Sequence, residues 1–169
     1  MKENLTSITF HSDLAKNWSN LYEKKSFLKR KRFFQRYLQG EVSSQEIWCD
    51  HGCGSGILIP ELLKYTKHII AVDGSMDMLS VAQSNNTFKN VIFIENNIHD
   101  LKSLTDESVD GVLSSSVLEY SNDPARVIYE ITRILRKDGS LILSVSFKFS
   151  FIRNLQKIIR KTFSFFGLN

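Results

Sequence analysis

Asp50-His51-Gly52-Cys53-Gly54-Ser55-Gly56 follows the apolar run Ile47-Trp48-Cys49 and leads into a helical pattern over Leu58–Lys64. A strand that ends in this loop and reopens as a helix makes a nucleotide-type crevice. Glycine turns the backbone through left-handed conformations and lets a ligand approach with no Cβ in the way. A bare turn does not call for three glycines at alternating positions. The helix behind the loop offers N–H groups at its positive end. Two familiar loops are excluded by spacing. A P-loop requires a lysine after its last glycine, and Ile57 stands there; a dinucleotide fingerprint requires glycine at that same sixth position. What remains is G-x-G-x-G with an acid, Asp50, ahead of the first glycine.

Outward from the loop, strands and helices alternate. His68–Val72 is a β-branched run ending in Asp73, Met76–Gln83 is helical, and Val91–Ile94 is a strand ending at Glu95-Asn96-Asn97. Val109–Leu113 is a strand ending at Ser114-Ser115-Ser116; Pro124–Arg136 is a helix closed by an Asp138-Gly139 turn; Leu141–Val145 is a fifth strand. Pro60 is tolerated in the first turn of its helix. The strands are short and apolar on both faces, as in a parallel sheet covered by helices. The predicted fold class is α/β: a Rossmann-like three-layer αβα sandwich with a mainly parallel sheet of about five strands. Ligands of such sheets bind beyond the carboxyl ends of the strands. Asp50–Gly56, Asp73–Ser75, Asn96–Ile98 and Ser114–Ser116 are therefore expected to line one crevice.

Three units are expected: a helical N-terminal extension (1–46), the sheet domain (47–147) and a basic amphipathic C-terminal helix (148–169). In the first, Phe10, Leu14, Trp18, Leu21 and Tyr22 keep helical spacing, and Lys24–Leu38 places Phe27, Phe34, Tyr37 and Leu38 on an apolar stripe that Gly40 ends. The chain of 169 residues carries a net charge of +4 that is segregated: residues 1–46 hold nine basic and five acidic groups, 47–147 eight and thirteen, and 148–169 five and none. An acidic body with two basic arms points to phosphate or an anionic lipid surface, or to plain solvated helix faces. The acidic body, and the lack of an aromatic stacking platform, argue against nucleic acid. Two cysteines in one loop exclude a disulfide framework and suit a cytoplasmic location, with peripheral contact at the inner membrane surface through the C-terminal helix as an option. Cys49, His51 and Cys53 lie within five residues with no second cluster, so no metal site is expected.

The loop resembles motif I of the class I S-adenosylmethionine (SAM)-dependent methyltransferases. The resemblance continues in order through residues 47–147, most closely to the type 11, ubiquinone-biosynthesis-like, family. It implies a strand order of 3-2-1-4-5. It also implies a cofactor site: Gly52, Cys53, Gly54 and Gly56 pass close to the methionine part of SAM, and Asp50 orients its ammonium group. Asp73 and Gly74 meet the ribose, where a carboxylate accepts from both hydroxyls. Met78 packs on the adenine, or is a core methionine. Asn97 stands where many relatives carry an aspartate that accepts from the adenine amino group, and its side-chain oxygen is expected to do the same. The Ile98 N–H meets an adenine ring nitrogen, and Ser114 and Ser115 border the methyl-transfer point.

The implied activity is transfer of the SAM methyl to a small-molecule acceptor, with S-adenosylhomocysteine as product; a lipid-linked or sugar-phosphate acceptor would suit the two basic arms. Glu119 and His51 are the candidate bases for an oxygen acceptor. His51 replaces a usually aliphatic residue, which reads as a substrate contact or as unusual core packing. The leading helices, through Trp18 and Tyr22, would lid the cofactor. The family's sixth and seventh strands find no counterpart after strand five. That edge is expected to be covered by the C-terminal helix, a second copy or a partner. The alternative function is accordingly a truncated, non-catalytic SAM-binding or partner subunit.

Overall fold

The structure, a computed structural model, describes residues 25–41, 46–66, 68–85 and 87–145. Its elements are α1 (Lys25–Glu41), β1 (Ile47–His51), α2 (Ile59–Leu62), β2 (His68–Asp73), α3 (Met76–Asn85), β3 (Val91–Glu95), β4 (Val109–Ser115), a 3-10 turn (Leu118–Tyr120), α4 (Pro124–Ile134) and β5 (Leu135–Ser144). The expected helical run Phe10–Tyr22, with Trp18 and Tyr22, and the basic segment 148–169 lie outside the described residues.

The five strands form one sheet in the order β3-β2-β1-β4-β5, with all four pairings parallel. Residues alternate between the two faces of a strand, and β1 shows the consequence. Trp48 joins a core with Phe34 and Leu38 of α1, Ile59 and Leu62 of α2 and Leu79 of α3. Cys49 joins the other core, with Val127, Ile128, Ile131 and Ile134 of α4. Three layers result, as the sequence predicted. Gly111 of β4 pairs with Trp48 because the indole takes the space; a Cβ there would stand 2.2 Å from Trp48 Cε2.

Three local expectations need correction. Tyr37 is not part of the buried stripe. It is 48% exposed and stacks on Phe33 with ring centroids 4.7 Å apart, while Phe34 and Leu38 are fully buried. The helix α1 runs on through Gly40 to Glu41. And α4 does not continue to Arg136: its C-cap Leu135 is already extended and pairs with Val109. Residues 136–139 then bulge before pairing resumes at Gly111 and Ser140. Asp138 takes φ 65° inside this bulge, and a Cβ on Gly139 would stand 2.9 Å from the Asp110 and Arg136 carbonyl oxygens. Asp138-Gly139 is thus a bulge inside β5 and not the turn that closes a helix.

Candidate functional site

The glycine loop at the end of β1 takes positive φ at every glycine: Gly52 +69°, Gly54 +53° and Gly56 +75°. The end of β2 braces it. The Val72 carbonyl accepts from the Gly52 and Cys53 N–H groups at 2.8 and 2.9 Å, and Asp73 Oδ2 accepts from the Gly54 N–H at 2.8 Å. Asp73 Oδ1 accepts from the Ser75 N–H at 2.9 Å, so one carboxylate shapes both the loop and the start of α3. The two inner glycines differ. A Cβ on Gly52 would press to 2.4 Å from Val117 Cγ2, whereas one on Gly54 would meet nothing within 4 Å. Gly52 serves packing; Gly54 faces open space.

Asp50 is 2% exposed, and its Oδ2 accepts no hydrogen bond among the described residues. Burial, reinforced by the charge of Asp73, raises its pKa to about 7. A buried carboxylate kept beside a second one lacks a cation. SAM carries an ammonium and a sulfonium, so the donor and charge pattern here fits it.

His51, the odd residue of the loop, is fully buried on the opposite face of β1. Its Nε2 donates to the Ile98 carbonyl at 3.1 Å, which leaves Nδ1 to accept from Ser114 Oγ at 3.1 Å. Burial lowers its pKa to about 4, against the smaller opposing effect of the Ile98 carbonyl. His51 is therefore a neutral core pin joining β1, β4 and the loop after β3, not an accessible base. The same bond engages Ser114: β4 extends through Ser115, and the Ser114 hydroxyl is buried on His51. Ser115, on the other face, lies 3.3 Å from Ser144 Oγ. Ser116 turns the chain out of β4 with φ 58°, a left-handed conformation uncommon outside glycine.

Gly74 sits in the bend after Asp73 and Met78 is 1% exposed, buried at the base of α3, while Met76 is 54% exposed. Cys53 is buried beneath the loop, its thiol held well above the ordinary range by burial and the nearby acids. Glu119 is half-buried on the 3-10 turn at the exit of β4. Asn97 and Ile98 do lie at the end of β3, but the Asn97 oxygen is engaged within its own loop. It accepts the His99 N–H at 2.9 Å and lies 2.9 Å from His99 Nδ1. The topology thus brings Asp50, the glycine loop, Asp73, Asn97 and Ser115 to one edge of the sheet.

Two features of the site carry no sequence signal. Glu130 and Arg133 on α4 clamp the loop after β3: Glu130 Oε2 accepts the Leu101 N–H at 3.0 Å, and Arg133 donates to the Leu101 and Leu104 carbonyls at 2.9 and 3.0 Å. Glu61 joins α1 to the helix behind the glycine loop, paired with Lys31 at 2.6 Å, Lys64 at 2.7 Å and Gln35. Both depend on partners remote in sequence.

Residues 49–143, more than half of the chain, match the type 11 family model described as a methyltransferase domain. The malonyl-[acyl-carrier protein] O-methyltransferase of Bacillus cereus is 33% identical over 95 residues, covering 55% of this chain and 35% of that protein. An uncharacterized protein of Methanocaldococcus jannaschii is 29% identical over 139 residues, 81% of this chain and 50% of the other. The chain thus spans between about a third and a half of these curated relatives' length. Among solved structures, the DhpI–SAM–HEP complex superposes with a TM-score of 0.72 at 16% identity, over 89% of this chain and 69% of that one. A chain from the complex of the Haloferax volcanii Trm112 methyltransferase activator with its methyltransferase gives 0.66 at 24% identity, over 78% and 57%. At such identities the structures speak for the fold, and the family model speaks for the lineage: the chain belongs to the type 11 family of class I SAM-dependent methyltransferases.

Proposed function

We propose that this chain binds SAM across the ends of β1, β2 and β3 and transfers its methyl group to a small-molecule acceptor. The observation that carries the reading is Asp50: a buried carboxylate with an unpartnered oxygen, next to Asp73, under a loop whose Gly54 faces open space. SAM supplies an electrophilic methyl on its sulfonium. Asp50 meets the ammonium, and Gly52, Cys53, Gly54 and Gly56 hold the backbone close to the methionine part. Asp73 accepts from the ribose hydroxyls, Gly74 leaves room beside them, and the Ile98 N–H meets the base. Ser115, on the Asp50 side of β4, borders the transfer point, and Glu119, half-buried on the turn at the exit of β4, is the remaining candidate for taking a proton from an oxygen acceptor. Positioning does most of the work in such a transfer.

For the acceptor we infer a lipid-linked or sugar-phosphate molecule. Residues 1–46 and 148–169 carry +4 and +5 against −5 for the body, a distribution suited to an anionic partner. The Bacillus cereus relative is named for O-methylation of a carrier-linked malonyl group. No helix among the described residues is long and apolar enough to cross a membrane. A second reading, a SAM-binding subunit completed by a second copy or another chain, is favoured by β5, which among the described residues forms a sheet edge.

Calorimetric titration with SAM and S-adenosylhomocysteine tests the cofactor site. The unaltered chain binds both, and Asp50→Asn weakens SAM by about tenfold or more, since a charge-assisted contact is lost. Equal binding by the two proteins would remove Asp50 from the site.

A further inference from the structure

The turn after β3 fixes the direction of one amide. Asn97 accepts the backbone N–H of His99 at 2.9 Å. A backbone N–H only donates, so the atom facing it is the side-chain oxygen and the amide cannot be flipped. His99 Nδ1, 2.9 Å from that same oxygen, is then the protonated ring nitrogen. In the neutral ring its Nε2 then carries no proton and accepts from Ser121 Oγ at 2.6 Å, and Ser121 Oγ in turn accepts the Asp123 N–H at 3.1 Å. The chain of bonds runs one way, from Asp123 through Ser121 and His99 to Asn97. Burial holds His99 below the ordinary histidine range, with Asp123 opposing, which favours the neutral ring this order needs. Two donors fill both lone pairs of the Asn97 oxygen. Asn97 is exposed, and the group left for it to present is Nδ2, a donor.

This bears on the base of a bound cofactor, and rests on the SAM reading above. With the ribose at Asp73, the base extends toward the neighbouring strand: Asp73 pairs with Glu95, and the Asn96 N–H bonds the Asp73 carbonyl at 3.0 Å. Asn97 is the next residue. The amino group of adenine is a donor, and two donors do not bond. We propose that Asn97 is a specificity-determining residue that turns its amide nitrogen toward the base, so that this chain holds the purine without reading its 6-amino group and accepts purine nucleoside cofactors altered at that position.

The test is calorimetric binding of S-adenosylhomocysteine and of its 6-deamino analogue, whose base is unsubstituted purine, to the unaltered chain and to Asn97→Asp. The unaltered chain should bind the two within about threefold of each other. Asn97→Asp keeps one oxygen for His99 and gains a second acceptor, so it should prefer the amino-bearing ligand by about tenfold. A loss of tenfold or more for the deamino analogue on the unaltered chain would overturn the proposal alone and leave the SAM site standing. Binding of neither ligand to the unaltered chain would overturn the SAM reading and this one with it. The comparison on the unaltered chain decides the matter even if the aspartate variant folds poorly.

Discussion

Asp50 and Glu61 are carboxylates equally covered from solvent contact, each 2% exposed, yet they sit at opposite ends of the carboxylate range. Burial works against the charge on Glu61, but hydrogen bonds from Lys31, Lys64 and Gln35 outweigh it and bring the pKa down to about 2. Burial works against Asp50 too, Asp73 adds repulsion, and the pKa rises to about 7. One acid is fully satisfied within the protein and fastens α1 to α2. The other is held short of a counter-charge at the mouth of the sheet. A buried charge is tolerable when paired, so the unpaired one is where the proposed cationic ligand would add to stability as well as bind.

Glu61→Ala removes the shared partner of two lysines, and we expect a loss of about 3 kcal/mol in urea unfolding. The lysines are 43% and 53% exposed and can return to water, which keeps the loss from being larger. Hydrogen exchange should quicken first in α1. A variant as stable as the parent would mean the pairing does not hold that helix.

A smaller effect separates the two acids by pH. Asp50 has a folded pKa above its unfolded one, so in the window from about 4 to about 7 the folded chain binds the extra proton, and stability falls as pH rises. Asp50→Asn carries no such penalty. Its stability relative to the parent should therefore climb across that window, by about 2 kcal/mol between pH 5 and pH 7. His51, with its folded pKa lowered to about 4, contributes in the opposite sense between about 4 and 6.5, but equally in both proteins, so it cancels in the difference. The Glu61 contribution is lost only as pH falls from 4.5 toward 2, below the span from pH 5 to pH 7 over which the two proteins are compared. A flat difference in urea midpoints would show that Asp50 is already neutralised by a partner.

These contrasts mark what the sequence could and could not say. The five strands were legible because each is a short apolar run cut off by polar residues, and the glycine loop because alternating positive φ demands glycine. The α4–β5 junction was not. Arg136 and Lys137 are good helix formers, and the pairing of Leu135 with Val109 overrides them. Residue type marked Asn97 for the crevice, but the direction of its amide is set by His99 and Ser121, which no spacing rule connects. Nothing in the spacing marks Glu61, because Lys31 and Gln35 lie a whole element away. His51 was flagged as a departure, and only its partners Ile98 and Ser114 place it in the core.

Gly54 has φ +53° but nothing within 4 Å of an added Cβ, so Gly54→Ala incurs only the strain of a left-handed alanine, about 1 kcal/mol. Its methyl would stand in open space beside the amide that Asp73 holds, where the ligand is proposed to lie. The variant should melt close to the parent, keep the Glu61 joint intact, and lose most of its affinity for S-adenosylhomocysteine. Gly52 cannot serve for this purpose, because its Cβ would collide with Val117 and mix packing with binding. If Gly54→Ala binds the nucleoside as well as the parent does, the open space above the loop is not the cofactor's. The unpaired Asp50 would then need a different cation, and the likeness between its raised pKa and a ligand-ready site would have to be given up.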